Sequence, residues 1–345
     1  TSTDAVLLDM DGNLVDAQYT RTGGDPRRAV SQVLDSVKRR LGNRVRLVAS
    51  ATTGSGRVVA GELIGADLVC NEITAQARAA VAVDSRATSV FEIGGQDSKF
   101  VSLEAGRVAD FQMNKICAAG TGSFVEEQAV YLGLDLADFG DRALAAKAPI
   151  DLGERCTVFV ETAVRTALAE GASTDDVAAG LCLSVVRNYL HRVVGSKHVG
   201  ARVVLQGGVA YNKGIVAAFR ALSDAEITVS PWFAVSGAVG AALLARDAAR
   251  ADGVGADASA GGDTAAGAAT VSPVCQTKCS DKNEAAVGCG VSLAERRDPL
   301  DSPRVFYAKT EELYLKGYDP SIDPAKKTVG IPRCLMLHKL FPMAN

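Results

Sequence analysis

The sequence is poor in aromatic residues and in histidine, and it carries almost no net charge. Phe, Trp and Tyr make up 5% of its 345 residues, with one Trp and three His, and the formal net charge is −3. This balance excludes the strongly basic surface of nucleic-acid-binding proteins. No apolar run reaches the length of a membrane span, and no secretory leader is recognisable. We therefore expect no nucleic-acid partner, no membrane partner and a cytoplasmic location.

The residues that are abundant indicate an α/β protein. Hydrophobic residues make up 48% of the chain, which is the share of an ordinary globular protein, and the length allows two domains. There are eight cysteines, and a reducing compartment makes disulfides unexpected. Cys70 and Cys182 lie in apolar runs and are predicted to be buried.

Alternation, helical periodicity and glycine turns predict a regular order of strands and helices. His191 is predicted to pack on a helix face. The predicted elements are a hairpin over 4–20 turning at Gly12, a helix over 26–41, a strand within 44–56, a helix over 71–83, a strand and hairpin over 87–114 turning at Gly106, helices at 124–133 and 137–147, a helical stretch over 157–195 broken near Gly171, a strand, turn and helix over 201–222, and a closing helix over 236–250.

The last quarter of the chain has a different composition. Residues 251–272 contain almost no large apolar side chain, which predicts a flexible linker. Residues 273–345 form a cysteine-bearing tail without clear periodicity. Its cysteines are either free thiols or ligands of zinc or of a second cluster, and both readings stay open; they are Cys275, Cys279, Cys289 and Cys334.

Two Gly-Gly turns indicate an anion site. One lies in "EIGGQDSK" (92–99), between two strands, and the other in "LQGGVAYNKG" (205–214), where a helix begins. Glycine lets backbone N–H groups approach a phosphate closely, and a helix N-terminus attracts negative charge. Together with "TTGSGR" (52–57) and the opening Thr1-Ser2-Thr3, these turns favour nucleotide binding over plain turns. Asp97 is placed to hold a metal-bound water.

Four segments in order resemble the ATP-dependent activators of 2-hydroxyacyl-CoA dehydratases and benzoyl-CoA reductases, members of the actin-like, sugar-kinase-like ATPase superfamily. They are "FEIGGQDSKF", "NKICAAGTGSFVEEQA", "DLGERCTVFVETAV" and "LQGGVAYNKGIVAAF". The resemblance implies two RNase H-like lobes, at 1–88 and 89–235, with ATP between them. The tail, with "VGIPRCLMLHKLFP", is similar to the start of the dehydratase-like region of large multidomain CoA-enzyme activases.

The same resemblance implies the cofactors and the residues that hold them. It implies a homodimer with one 4Fe–4S cluster, ligated by Cys117 and Cys156 of each subunit, and it implies ATP with Mg²⁺. It also implies an acyl-CoA dehydratase or reductase as the partner. The implied nucleotide residues are Thr1, Ser2 and Thr3 in a first phosphate loop, Gly94, Gly95, Gln96 and the catalytic Asp97 in a second, and Gly207, Gly208 and Asn212 in an adenosine loop.

The two cluster cysteines stand where helices are predicted to begin. Cys117 precedes a glycine turn, and Ser123 with Glu126 has the spacing of a capping box. Cys156 precedes a helix predicted from about Thr157. Thiolates are stabilised at helix N-termini. The placement alone leaves a cluster and two unrelated buried cysteines both open, and the resemblance favours the cluster.

The sequence also departs from the family. The strand and glycines that begin the first phosphate loop are missing, so we expect the chain as given to bind and hydrolyse nucleotide poorly. Asp4 stands where the family usually has lysine, and Gln76 where histidine is common.

Three functions remain open. The first is an ATP-driven electron donor of the activator type, and the second is a sugar or N-acetylhexosamine kinase of the same superfamily. The third is a non-catalytic module of a larger activase.

Overall fold

A computed structural model describes residues 2–41, 44–114 and 118–252 of the chain. The predicted linker, the tail with its four cysteines, Thr1 and Cys117 lie outside these residues, except for the first two linker positions. The described elements are β1 (Ser2–Leu8), β2 (Leu14–Arg21), α1 (Pro26–Leu41), β3 (Ala51–Thr52), α2 (Arg57–Ile64), β4 (Leu68–Val69), α3 (Glu72–Val83), β5 (Ser89–Ile93), β6 (Ser98–Glu104), β7 (Arg107–Met113), α4 (Gly122–Tyr131), α5 (Phe139–Leu144), α6 (Thr157–Ala169), α7 (Thr174–Tyr189), β8 (Arg202–Gln206), α8 (Lys213–Leu222), β9 (Glu226–Val229) and α9 (Ser236–Ala251).

Short strand pairs form the N-terminal part of the fold. β1 and β2 make an antiparallel hairpin, while β3 pairs in parallel with β4. The hairpin turns at the predicted place, where Gly12 has a φ of +94° that only glycine adopts readily. Asp9 accepts hydrogen bonds from the backbone and side chain of Asn13, which closes the turn.

A five-stranded mixed sheet, in the order β7-β6-β5-β8-β9, forms the larger part of the fold. β5 pairs antiparallel with β6 and parallel with β8, and β8 pairs parallel with β9. All five residues of β5 are buried, as expected of a central strand covered on both faces. One face packs on an aromatic cluster in which Phe91, Tyr189 and Phe219 have ring centroids 5.2–5.5 Å apart.

The other face of the sheet packs on α3, which in turn packs on α9. Ala77 and Val90 belong to one buried cluster, and Ala75 and Ala241 to another on the opposite side of α3. Small residues let these helices approach closely. A methyl group on Gly240 of α9 would lie 1.8 Å from the carbonyl oxygen of Ala75. α3 is therefore clamped between the sheet and α9.

The strong sequence patterns are confirmed, and the weak ones are not. α1 and α3, both hairpins and the break near Gly171 lie where predicted. The strand predicted within 44–56 is reduced to Ala51–Thr52, and residues 45–50 have no regular structure. α9 extends through Ala251, one residue into the predicted linker. The short elements α2, β4 and β9 were not predicted; they are eight, two and four residues long, and segments this short carry little periodicity.

Candidate functional site

The turn from Gly94 to Asp97 follows the buried strand β5. The amide of Gly94 donates to the carbonyl of Asp97 at 2.9 Å, which closes the turn. The carbonyls of Gly94 and Gly95 accept hydrogen bonds from the amides of Gly122 (2.9 Å) and Ser123 (2.8 Å). These amides are among the first four of α4, which have no partner within the helix. The turn thus supplies the acceptors that the start of α4 needs.

This arrangement corrects the predicted capping box. The N-cap of α4 is Thr121, and Ser123 is already in the helix. Glu126 does not reach back to the helix start but pairs with Arg21 of β2 at 2.5 Å. The spacing of Ser123 and Glu126 was misleading because long-range acceptors replaced the local ones.

Gly122 joins the two glycine turns at one place. A methyl group there would lie 2.9 Å from a methyl carbon of Val209 and 3.1 Å from the carbonyl oxygen of Gly94. Val209 belongs to the short 3₁₀ segment Gly208–Tyr211, which follows the second Gly-Gly turn. The close packing at Gly122 therefore sets the spacing between the two turns.

The second turn leaves the neighbouring parallel strand. β5 and β8 run in parallel with Glu92 opposite Gln206, so both turns follow the carboxyl ends of adjacent strands. Ligands of open α/β sheets bind at such ends. Gly207 has a φ of +91°, and a methyl group there would lie 2.3 Å from the carbonyl oxygen of Ile93. Only glycine fits at this position.

Asn212 has a structural role that the sequence prediction missed. Its side-chain oxygen accepts from the amide of Ile215 at 3.1 Å and so caps α8. Its side-chain nitrogen is buried and has no hydrogen-bond partner. A small cleft of about 80 Å³ opens beside it. The cleft is lined by Ala137, Gly140, Asp141, Tyr211, Asn212 and Lys213. Asn212 thus has a free donor beside a cavity at a helix N-terminus.

Three carboxylates surround a buried lysine next to the Gly94–Asp97 turn. Lys99 is 1% exposed, and its Nζ lies 2.8 Å from Glu92, 3.0 Å from Asp97 and 3.0 Å from Glu72. Burial raises the pKa of Glu92 to about 7, although Lys99 opposes the shift. Burial alone would lower the pKa of Lys99, but its carboxylate partners, chiefly Glu92 and Glu72, together raise it. Asp97 and Lys99 are two positions apart in the sequence, whereas Glu92 comes from β5 and Glu72 from α3.

Ser2 and Thr3 lie at the start of β1. Ser2 donates to Asp4 at 3.3 Å, and the hydroxyls of Thr3 and Thr22 are 3.0 Å apart. Asp4 has one buried carboxylate oxygen without a partner, and burial raises its pKa to about 6. Ser2 pairs with Arg21, which contacts Glu126 of α4. The start of β1 is thereby linked to the helix that holds the first glycine turn.

Gln76 is part of a buried amide network. The side-chain nitrogen of Gln206 donates to the side-chain oxygen of Gln76 at 2.6 Å, and the Ser236 hydroxyl donates to the same oxygen at 2.9 Å. The network joins α3, the end of β8 and the start of α9. Gln206, the last residue of β8, directly precedes Gly207. The sequence offered only the observation that Gln76 replaces a histidine.

Cys156 is the N-cap of α6, as predicted. Its carbonyl accepts from the amide of Phe159 at 3.0 Å, and its thiol is free and partly exposed. Val158 and Phe159 beside it are 65% and 60% exposed. Across the described residues, no three or more His, Cys, Asp or Glu side chains are grouped so as to hold a metal ion. Cys156 is a thiol at a helix N-terminus, which fits one ligand of an iron–sulfur cluster.

A wider cleft of about 390 Å³ adjoins the segment before Cys156. Arg187 pairs with Asp151 at 2.7 Å at its edge, and His191 pairs with Glu154. His191 lies in a π-helical turn, Leu190–Val194, and its side chain is 65% exposed. The prediction that His191 packs on a helix face is therefore wrong. It bonds a carboxylate at the surface instead.

Two further features bear on the class of protein. Glu161 and Arg165, four positions apart on α6, form an ion pair at 2.6 Å. Within residues 2–41, 44–114 and 118–252, no helix has the length and apolar character needed to cross a membrane.

Comparison with known proteins gives one consistent group of relatives. The profile of the BadF/BadG/BcrA/BcrD ATPase family matches residues 1–245. The 2-hydroxyisocaproyl-CoA dehydratase activator of Clostridioides difficile is 33% identical over 254 residues, covering 72% of this chain and 93% of that protein. The (R)-2-hydroxyglutaryl-CoA dehydratase activating ATPase of Acidaminococcus fermentans is 35% identical over 230 residues, covering 66% and 84%.

Solved structures give the same result. The Acidaminococcus fermentans (R)-2-hydroxyglutaryl-CoA dehydratase component A superposes with a TM-score of 0.66 and 29% identity, covering 72% of this chain and 95% of that one. The Clostridium difficile activator of 2-hydroxyisocaproyl-CoA dehydratase, with bound ADPNP, superposes with a TM-score of 0.65 and 30% identity, covering 73% and 97%.

Proposed function

Because this chain belongs to the BadF/BadG/BcrA/BcrD ATPase family, we propose that it is an ATP-dependent activator that delivers one electron to an acyl-CoA dehydratase or reductase in the cytoplasm. The observation that carries the proposal is the pair of glycine turns at the ends of the parallel strands β5 and β8, in a chain whose relatives are activating ATPases. Those relatives favour an activator over a sugar kinase of the same superfamily.

The nucleotide would lie against these turns. Gly95 and Gln96 would present backbone amides to the phosphates, together with Ser2 and Thr3 and, before them, Thr1. Gly94 would hold the shape of the turn, because its own amide bonds the carbonyl of Asp97. Asp97, whose side chain is 44% exposed, would hold a water of the Mg²⁺ ion. Gly207, Gly208 and Asn212 would hold the adenosine, with the free Asn212 amide as a donor. Bound Mg²⁺ neutralises phosphate charge as the terminal phosphoryl group leaves.

The electron-transfer part rests on two cysteines. Cys117 and Cys156 of each of two subunits would ligate one 4Fe–4S cluster at the interface of a homodimer. Such a cluster supplies a single electron at low potential. The positive end of α6 would favour a negatively charged cluster bound at its N-cap residue, Cys156. Two RNase H-like lobes, at 1–88 and 89–235, would change their angle with the nucleotide and so expose the cluster to the partner.

Iron content after anaerobic purification tests this function. We expect the wild-type chain to be a brown dimer with about four iron atoms, and Cys117→Ser and Cys156→Ser to lose the iron. Cys70→Ala is the matched control. Cys70 is buried in the hydrophobic core beside Ala75 and Ala241, so its variant should keep the iron. A full cluster in both serine variants would show that the ligand assignment is wrong.

A separate measurement tests the ATPase. Calorimetric titration of Mg-ADP should give weak binding to the wild-type chain and the same binding to both serine variants, since none of the proposed nucleotide residues is a cysteine. Transfer of phosphate to a hexose, in place of slow ATP hydrolysis, would favour the sugar-kinase alternative.

A further inference from the structure

The buried ammonium of Lys99 is the feature of the described residues that the proposed function leaves unused. Removing an amine from water costs several kcal/mol unless it is paired and hydrogen-bonded. Lys99 is paired with carboxylates from three separate elements: Glu92 from β5, Asp97 from the turn and Glu72 from the first turn of α3. If Lys99 only stabilised the sheet, one carboxylate partner would be enough.

The three carboxylates differ in exposure. The side chain of Glu92 is 6% exposed, that of Glu72 28% and that of Asp97 44%. Glu92 stands directly opposite Lys99 in the β5–β6 register, so it is the internal counter-ion. Asp97 and Glu72 share the same ammonium from the solvent side. Lys99 thus lies on the buried side of the turn, where its ammonium group contacts the carboxylate of Asp97.

The backbone of the turn is already fixed without Lys99. Gly94 N–H binds the carbonyl of Asp97, and the carbonyls of Gly94 and Gly95 bind α4. What these bonds leave free is rotation of the Asp97 side chain about its Cα–Cβ and Cβ–Cγ bonds. The 3.0 Å contact between Lys99 Nζ and Asp97 Oδ2 restricts this rotation.

We propose that Lys99 is a positioning residue, which fixes the Asp97 carboxylate for the Mg²⁺–nucleotide and ties it through Glu72 to the start of α3. This inference rests on the proposed function, since it assigns Asp97 to the Mg²⁺ site. α3 begins at Glu72, is capped by Asn71 and packs against α9. A displacement of Asp97 would therefore also displace the N-terminus of α3, the helix that packs between the sheet and α9.

The test removes the buried pair as a unit. Lys99→Met alone would leave Glu92 buried without a counter-charge, so the variant to use is Lys99→Met with Glu92→Leu, which replaces ions by apolar groups of similar size. We expect this pair variant to fold. Its affinity for Mg-ADP should fall about tenfold, while its affinity for ADP without Mg²⁺ changes less than about threefold. Lys197→Met, at a surface lysine paired with Asp110, is the matched control and should change neither.

A double-mutant cycle on Mg-ADP affinity distinguishes positioning of Asp97 by Lys99 from an independent effect of Lys99. Asp97→Asn alone should also weaken Mg-ADP by about tenfold, and adding it to the pair variant should weaken it little further. Additive losses, or an unchanged Mg²⁺ dependence in the pair variant, would overturn the proposal. If the pair variant does not fold, the cycle is made from Glu72→Gln and Asp97→Asn, both at partly exposed positions. These should deviate from additivity at least about threefold, and additive effects would again overturn it.

Failure of the proposed function gives a different result. In that case wild-type protein shows no Mg-ADP binding at all. The Asp97 side chain then tests Lys99 by itself: NMR three-bond couplings should report one χ1 rotamer of Asp97 in wild type and an average over rotamers in the pair variant, and equal averaging in both would count against Lys99.

Discussion

The buried carboxyl of Glu92 should make the stability of this protein fall between pH 5 and pH 8. The folded-state pKa is about 7, against an ordinary value of 4.5, and burial is the largest cause. The folded state therefore holds more protons than the unfolded state in this range. The contribution is complete below pH 4.5 and is lost as the pH rises through 7. Since each pKa unit is worth about 1.36 kcal/mol, the loss amounts to roughly 3 kcal/mol.

The perturbation is Glu92→Gln, which keeps the size of the side chain and cannot ionise. The assay is the free energy of unfolding by urea at pH 5, 6, 7 and 8, taken as wild type minus variant so that other titrating groups cancel. We expect this difference to fall by about 3 kcal/mol over the range. Glu104→Gln, at the exposed end of β6, is the control and should give a flat difference. A flat difference for Glu92→Gln itself would refute the argument that desolvation outweighs the attraction of Lys99.

Three further predictions concern stability and binding. Gly240→Ala should lower the free energy of unfolding by about 1–3 kcal/mol, because its methyl group would overlap a carbonyl of α3; Gly237→Ala in the same helix meets its nearest atom at 3.4 Å and should be nearly neutral. Comparable losses in thermal denaturation of the two would show that close packing is not the cause. Asn212→Ala should cost about 1 kcal/mol through the lost helix cap, whereas Asn212→Asp should keep the cap and weaken only adenosine binding, which calorimetry of ADP measures; equal affinity for wild type and Asn212→Asp would contradict a role of the free amide. The backbone amide of Arg86 and the guanidinium of Arg202 lower the pKa of Asp84 below 3.8, so Asp84→Asn should be less stable than wild type above that pH and equal to it in stronger acid; a difference that persists in acid would indicate a cause other than charge.

Local signals predicted the turns well. Gly12 and Gly207 have φ of +94° and +91°, a backbone conformation that only glycine adopts readily, and Gly94 directly follows β5. The position of Cys156 before α6 was equally local, since a helix start is set within a few residues.

The remaining parts of the site depend on contacts between distant segments. The start of α4 takes its acceptors from Gly94 and Gly95, 28 positions earlier in the chain, so the residues near Ser123 in the sequence do not reveal them. Glu72 reaches Lys99 from another element, and Gln76 reaches Gln206 over 130 positions. Residues 45–50 contain Val and Leu, as strands do, but a strand needs partners for its backbone groups. Among these six residues, only the Ser50 carbonyl bonds a described strand, accepting from the amide of Leu68 in β4.

The two hydrogen bonds from α4 to the Gly94–Asp97 turn have a consequence for protein engineering. The turn cannot be transferred to another protein alone, because the carbonyls of Gly94 and Gly95 accept hydrogen bonds from the amides of Gly122 and Ser123. A graft of residues 92–99 into another sheet would leave two carbonyls facing solvent and a turn free to flip its peptide planes. The smallest transferable piece is strand, turn, returning strand and the opening of the helix, taken together.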